Sequence, residues 1–396
     1  MRFDSHLPTR LVFGAGRLTE AGTLARSLGR RALVVTGRTA MARLGYTKRL
    51  LDRLTAAAVE ATVFRDLGAT PTTDDVDRAA AVVREMGADL VIGLGGGSAL
   101  DCAKAAAAVA PRRAACAEYL HGRASVGPDA LPLLAIPTTA GTGSEMNRSA
   151  IVTDPALRHK DAIRSDHLFP RVALVDPTLT HDVPADVTAQ AGFDALAHAV
   201  ESYVSPKAQP LADALALDAI AAVVAALPVA LAEPHNAAAR ERLCLAAASM
   251  GYNLSCVGTC LPHRLDKPLC AFYPDIAHGQ AVAFFYPSWA AYSWRGCPDR
   301  FARVTNLLDP ATVGWDVEEA AAACAGRLAA FICGAGLGRP MASFGVTLGP
   351  EEVPLLTRRV SGDPRVNPVP VEPERLGEFY RRAYAGDAPE VAHDVS

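Results

Sequence analysis

The hydrophobic grammar of the chain changes once, near Pro177, and that change restricts the fold more than any other feature. Before it, short apolar runs rich in β-branched residues alternate with helical ones. RALVVTG (31–37) and DLVIGLGGGS (89–98) end in glycine or a glycine loop, each followed by an alanine-rich or amphipathic segment, and LPLLAIPTT (131–139) and RVALVD (171–176) continue the pattern. Continuous apolar strands separated by helices predict a parallel sheet covered on both faces. After Pro177 the β-branched runs all but vanish, and helical periodicity holds over 186–205, 210–233, 237–257, 315–336 and 373–384. The prediction is an α/β domain over 1–180 followed by an all-α domain over 181–396, with a ligand cleft between them. A chain of 396 residues is long enough for two such cores. The tail GDAPEVAHDVS is expected to fray.

Composition removes several function classes. A formal net charge of −3 gives no reason to expect nucleic acid or an anionic membrane as partner. The most apolar stretch, 212–231, is interrupted by Asp213 and Asp218, so no membrane span is expected, and MRFDSHLPTR lacks the apolar centre of a signal peptide. The nine cysteines show no CxxC spacing, and Cys102, Cys244, Cys324 and Cys333 fall in apolar helical runs that suit buried thiols. Reduced cytoplasm is the expected compartment.

Two loops look built for a ligand. Gly95, Gly96 and Gly97 end a strand and open a helix, where free N–H groups suit a pyrophosphate. Ser98 and Asp101 read as a capping box for that helix. The fingerprint G-x-G-x-x-G is not met, since Ser98 stands where the third glycine would be. PTTAGTGSE (137–145), with hydroxyls at Thr138, Thr139 and Thr142, follows the next apolar strand and should lie on the same sheet edge. Together the loops point to a dinucleotide.

The helical half carries the second chemistry. Asp194 and His198 in GFDALAHAVESY (192–203) are four apart on a helical pattern and share one face. His263 and His278 bracket HRLDKPLCAFYPDIAH, where Pro268 and Pro274 are expected to break the helix. The other histidines fall elsewhere: His6, His121, His235 and His393 in polar or terminal segments, and His159, His167 and His181 in loop-like ones. One Asp and three His suit a divalent first-row metal. Spacing alone leaves that set and a scatter of unrelated histidines equally open.

Several motifs in order resemble the iron-dependent (group III) alcohol dehydrogenases: HLPTRLVFGAG, GLGGGSALDCAK, IPTTAGTGSE, FPRVALVDPTLT, GFDALAHAVESYVS, the His263–His278 segment and DPRVNPVP. The resemblance runs over nearly the whole chain. It implies a dehydroquinate synthase-like architecture, with a dinucleotide domain before a helical metal domain. It also implies metal ligation by Asp194, His198, His263 and His278, and cofactor contacts at Gly95 to Ser98, Thr138, Thr139, Thr142, Ser149 and Lys160. The implied reaction is hydride transfer between NADH or NADPH and an aldehyde–alcohol pair, with Fe2+ as the family's metal; Zn2+ should bind the same ligands at least as well. Homodimers are compatible with it.

The chain departs from the family pattern in three places. Lys267 stands where many members have a histidine that helps relay the proton; it is a candidate for that relay or for binding an anionic substrate group. The interval from His263 to His278 is one residue longer than expected, through YPDIA, which makes His278 the least secure ligand. Gly37, Arg38 and Thr39 stand where NAD-preferring members have an aspartate, which favours tolerance of NADPH. Arg148, Arg264 and Lys267 would suit an aldehyde with an anionic tail, phosphonoacetaldehyde being one member of a phosphonoacetaldehyde reductase-like reading. The alternatives are a sugar-phosphate cyclase-like lyase, for which Asp194 should be glutamate, and a non-catalytic nucleotide-binding paralogue, for which a ligand should be missing. Maleylacetate reductases lack this glycine loop with this Asp–His pair.

Overall fold

The computed structural model describes residues 2–386; Met1 and 387–396, which hold His393 and nearly all of the tail expected to fray, lie outside the described residues. Eight strands form in the first half: β1 Arg10–Phe13, β2 Arg31–Thr36, β3 Glu60–Phe64, β4 Leu90–Gly95, β5 Leu133–Pro137, β6 Ser149–Asp154, β7 His159–Arg164 and β8 Val172–Val175. Six of them make one parallel sheet in the order β1-β8-β5-β4-β2-β3. Side chains alternate across it. Leu33, Val35, Val91 and Ala135 pack with Val76, Val83 and Leu100 of helices Thr73–Met86 and Gly97–Val109 on one face. Val34, Ile92, Leu134 and Leu174 pack with Leu24, Leu50 and Leu54 on the other. Burial on both faces is why these strands read as unbroken apolar runs.

The chain runs from β2 outward to β3, then returns to place β4 on the other side of β2. The crevice at the carboxyl ends of β2 and β4 is the reversal point where open α/β sheets bind ligands. The strands β6 and β7 form a separate antiparallel hairpin. Lys104, buried in helix Gly97–Val109, donates to Ser149 O at 2.7 Å and Asn147 Oδ1 at 2.9 Å, tying the hairpin's start to that helix.

Beyond Asp176 the described residues form only helices and their connections, the longest helices being Ala185–Val204, Pro210–Ala232, Ala237–Cys256 and Val317–Gly334. Contrary to the expectation from Asp213 and Asp218, Pro210–Ala232 is long and apolar enough to cross a membrane by length and composition alone. It packs along Ala185–Val204 and Ala237–Cys256, burying Ala216, Ile220, Val223 and Leu227. Pro268 does not break its run: it lies inside helix Pro262–Phe272, and only Pro274 follows the helix end. One ladder bond, to Arg264 O, is lost at Pro268, but its ring is buried on the same packed face as Leu265 and Leu269. In DPRVNPVP, buried Asn367 accepts from Trp289 Nε1 at 2.7 Å and donates to Ser293 Oγ at 3.0 Å, fastening helix His278–Ser293. Cys102, Cys244 and Cys324 are buried, whereas Cys333 is exposed at the end of its helix.

Candidate functional site

Helix Ala185–Val204 presents Asp194, His198 and Glu201 at i, i+4 and i+7, one buried stripe on one face. Helix Pro262–Phe272 contributes His263 from its first turn, and His278 opens helix His278–Ser293. Asp194 Oδ1 is 3.2 Å from His263 Nε2, 3.3 Å from His278 Nε2 and 3.5 Å from His198 Nε2. The four donor atoms lie within 4.8 Å of one another. The long spacing before His278 does not displace it. Pro274 and Asp275 bulge toward solvent, Ile276 is buried and its N–H bonds Tyr273 O at 3.1 Å, and the helix restarts at His278. Gly279 then packs on the Gln190 backbone, where a Cβ would collide with the carbonyl, so the two helices meet closely beside His278.

Two carboxylates that the sequence reading passed over hold the imidazoles. His263 Nδ1 is 2.6 Å from Glu201 Oε1, and His278 Nδ1 is 2.7 Å from Asp266 Oδ2. Each leaves Nε2 facing Asp194. Helical spacing could have revealed both: Glu201 is seven after Asp194, and Asp266 is three after His263. His198 Nδ1 is buried without a hydrogen bond of ordinary geometry among the described residues.

The electrostatics follow from burial and pairing. Burial opposes the charge on Asp194, but His198, His278 and His263 hold its carboxyl well below the usual range. Burial pushes His198 down to about 3. Burial also opposes the charge of His263 and His278, yet Glu201 raises the first to about 10, and Asp266, with Asp194, raises the second. One carboxylate and three imidazoles turned toward a common point, two of them braced by outer carboxylates, fit a divalent first-row cation.

The glycine and threonine loops meet as expected. Gly95 pairs with Pro137 in the sheet, and Thr138 N bonds Gly95 O at 2.9 Å. Gly97 faces Thr142, whose Cγ2 would be 2.7 Å from a Cβ there. The expected capping box does not form. Gly96 is the N-cap and no side chain caps the helix; Ser98 Oγ donates to Ala69 O at 2.7 Å instead, while Asp101 accepts from Ser144 Oγ at 2.5 Å and Ile151 N at 3.0 Å. Asp101 is turned inward by those tertiary partners, so no side chain caps the first-turn N–H groups.

One cavity of about 1070 Å³ is lined by Gly37, Gly95 to Ser98, Asp101, Thr138, Thr139, Thr142, Ser149 and Lys160 and also by Asp194, His198, His263 and His278. Arg38 and Thr39 are exposed and do not line it. Arg148 does not line it either: its guanidinium pairs with Asp166 at 2.6 Å on the surface. Arg264 and Lys267 do line it, but both are engaged. Arg264 Nη1 donates to Thr259 O at 2.9 Å, and Lys267 Nζ donates to Asp161 Oδ1 at 2.7 Å and Ser361 Oγ at 3.2 Å. Buried Lys160 faces Asp266 at 3.9 Å. Two readings of the remaining histidines change. His159 lies on β7, and His121, expected in solvent, is mostly covered and pairs with Asp154 at 2.7 Å.

The description "Iron-containing alcohol dehydrogenase" matches residues 8–177, and "Fe-containing alcohol dehydrogenase family, C-terminal" matches 188–384. The chain is 32% identical to Long-chain-alcohol dehydrogenase 1 of Geobacillus thermodenitrificans over 389 residues, 95% of this chain and 97% of that one. It is 32% identical to the sulfoacetaldehyde reductase of Bilophila wadsworthia over 317 residues, 78% of this chain and 79% of that one. Among solved structures, the archaeal alcohol dehydrogenase ADH/D1 from a Red Sea brine pool superposes with a TM-score of 0.92 at 30% identity, covering 97% of this chain and 99% of that one. The sulfoacetaldehyde reductase of Bifidobacterium kashiwanohense in complex with NAD+ gives 0.85 at 32%, covering 98% and 100%. With both family descriptions matched in order along one chain, this protein belongs to the iron-containing alcohol dehydrogenase family.

Proposed function

We propose that this protein interconverts a small aldehyde and its primary alcohol with NADH or NADPH, using a divalent metal, Fe2+ in the first instance. The observation that carries the reading is the shared cavity: the glycine and threonine loops and the Asp194–His198–His263–His278 group open into the same space. Bound there, the metal supplies Lewis acidity to the substrate oxygen, and the nicotinamide supplies or takes the hydride. The residues do the positioning. Gly95 to Gly97 let a pyrophosphate approach the helix start. Glu201 and Asp266 keep the Nε2 atoms of His263 and His278 turned inward. The domain division at 180/181 puts the cofactor loops on one side of this cleft and the metal ligands on the other.

Lys267 is not the proton relay in this reading, because Asp161 and Ser361 already engage its Nζ; with Asp161 it forms part of the substrate wall. Tolerance of NADPH rests on Gly37, which lines the cavity and would leave a Cβ free of neighbours within 4 Å, room for a 2′-phosphate. Arg38 at the rim would supply the charge. A clear kcat/KM advantage for NADH over NADPH would overturn that part.

An anionic aldehyde, such as phosphonoacetaldehyde, is the second reading. It is favoured by the two sulfoacetaldehyde reductases among the relatives and by Arg264 and Lys267 on the wall. The pairing of those cations, and the distance of Arg148 from the cavity, favour an uncharged substrate. The test is oxidation of NADH and NADPH by Fe2+-loaded protein with propionaldehyde and phosphonoacetaldehyde side by side. Propionaldehyde is expected to be the better substrate, and no turnover of either would sink the oxidoreductase reading.

A further inference from the structure

We propose that Asp161 is a specificity-determining residue: paired with Lys267, its carboxylate cancels the positive charge on the cavity wall and selects an uncharged aldehyde over one with an anionic tail. This deepens, and rests on, the aldehyde–alcohol reading above. Lys267 follows His263 by one helical turn, so the two share a face and both line the cavity. Asp161 reaches it from the hairpin strand β7, where its Oδ1 accepts from Lys267 Nζ at 2.7 Å and from its neighbour Ala162 N at 2.8 Å. The side chains of Lys267 and Asp161 are 12% and 21% exposed, open to the cavity and largely withdrawn from bulk water, where a charge is felt most.

The other cations set deep in this wall are turned to partners of their own. Lys160 faces Asp266, and Arg264 donates to backbone carbonyls with Asp363 near it. Arg164, 3.8 Å from Asp161, is 56% exposed at the rim. The carboxylate of Asp161 therefore sets the sign that an incoming tail meets. A carboxylate, phosphonate or sulfonate would face an acid already bonded to Lys267, the lysine one turn from His263. Discrimination of this kind comes from the repulsive group as much as from the attractive one.

The experiment measures kcat/KM of Fe2+-loaded wild type, Asp161→Asn and Lys267→Gln for butyraldehyde and succinic semialdehyde, which differ in a terminal methyl against a carboxylate. Wild type should prefer butyraldehyde. Asp161→Asn, which can keep the Ala162 bond, should raise the succinic semialdehyde-to-butyraldehyde ratio roughly tenfold or more. Lys267→Gln should lower it. A merely structural role would move both variants the same way on both substrates. Thermal midpoints confirm folding, and Asp161→Ser replaces Asp161→Asn if the latter does not fold. A wild type that prefers succinic semialdehyde, or an Asp161→Asn ratio that is unchanged or lower, overturns the assignment while leaving the oxidoreductase reading intact. A wild type that turns over neither aldehyde overturns both.

Discussion

Asp266 Oδ2 lies 2.7 Å from His278 Nδ1, linking two helices through residues 12 apart in the chain. The same carboxylate is 3.9 Å from Lys160 Nζ. Asp266 thus joins the two sides of the cleft: it orients an imidazole of the proposed metal group and faces a lysine of the proposed cofactor side. Replacing it with alanine should weaken metal binding about 10–100-fold, because outer carboxylates fix the orientation and basicity of ligating histidines. Metal titration followed by calorimetry checks this, and affinity within twofold of wild type would refute it.

At Gly97 the glycine and threonine loops, the proposed cofactor loops, touch. A Cβ there would lie 2.7 Å from Thr142 Cγ2, so Gly97→Val must push the loops apart. Overpacking of this kind costs about 1–3 kcal/mol. If that cost falls on cofactor binding, the dinucleotide Kd should rise about 5- to 150-fold, while metal content stays at the wild-type level. Fluorescence titration with NADH and NADPH, beside metal analysis, reads both.

Arg148 and Asp166 form a surface pair outside the cavity. Exposed pairs contribute less than about 1 kcal/mol. Arg148→Ala should therefore leave kcat/KM unchanged for neutral and anionic aldehydes alike. A selective loss on the anionic one would return Arg148 to the substrate site.

Glu145, buried at the end of the threonine loop, has its pKa pushed up to about 7 by burial, against the pull of Lys104. An acid with a raised folded pKa binds its proton more tightly when folded. Its ionisation costs nothing below the unfolded value near 4.5, and the cost grows until pH passes about 7. Glu145→Gln should thus be more stable than wild type at pH 8.5, by up to about 3 kcal/mol, with the difference shrinking toward pH 5. Thermal unfolding at both pH values checks the sign. A gap that widens on acidification would contradict it.

The parts of the fold legible in the sequence are those whose signals are local. β2, β4, β5 and β8 are buried on both faces, and their apolar runs show it. The short edge strands β1 and β3, half exposed, carry no such run. Helix Pro262–Phe272 is hard to read through Pro268, whose lost bond matters less once the helix packs against helix His278–Ser293 and β7. The capping box failed for a related reason: Ser98 and Asp101 have the spacing, but Ala69, Ser144 and Ile151 offer them tertiary partners instead.

By itself the sequence determined the two kinds of layer, the glycine loop at a strand end and the shared face of Asp194 and His198, since each depends on periodicity within one element. Only the tertiary structure decided which charges meet. Glu201 faces His263, Asp266 faces His278, Lys267 faces Asp161, and Arg148 turns away to Asp166. Three of these pairs join separate secondary-structure elements, and the fourth closes the two ends of the β6–β7 hairpin. Electrostatic pairing falls off with distance in space, and for residues this far apart in the chain that distance is set by how the elements pack.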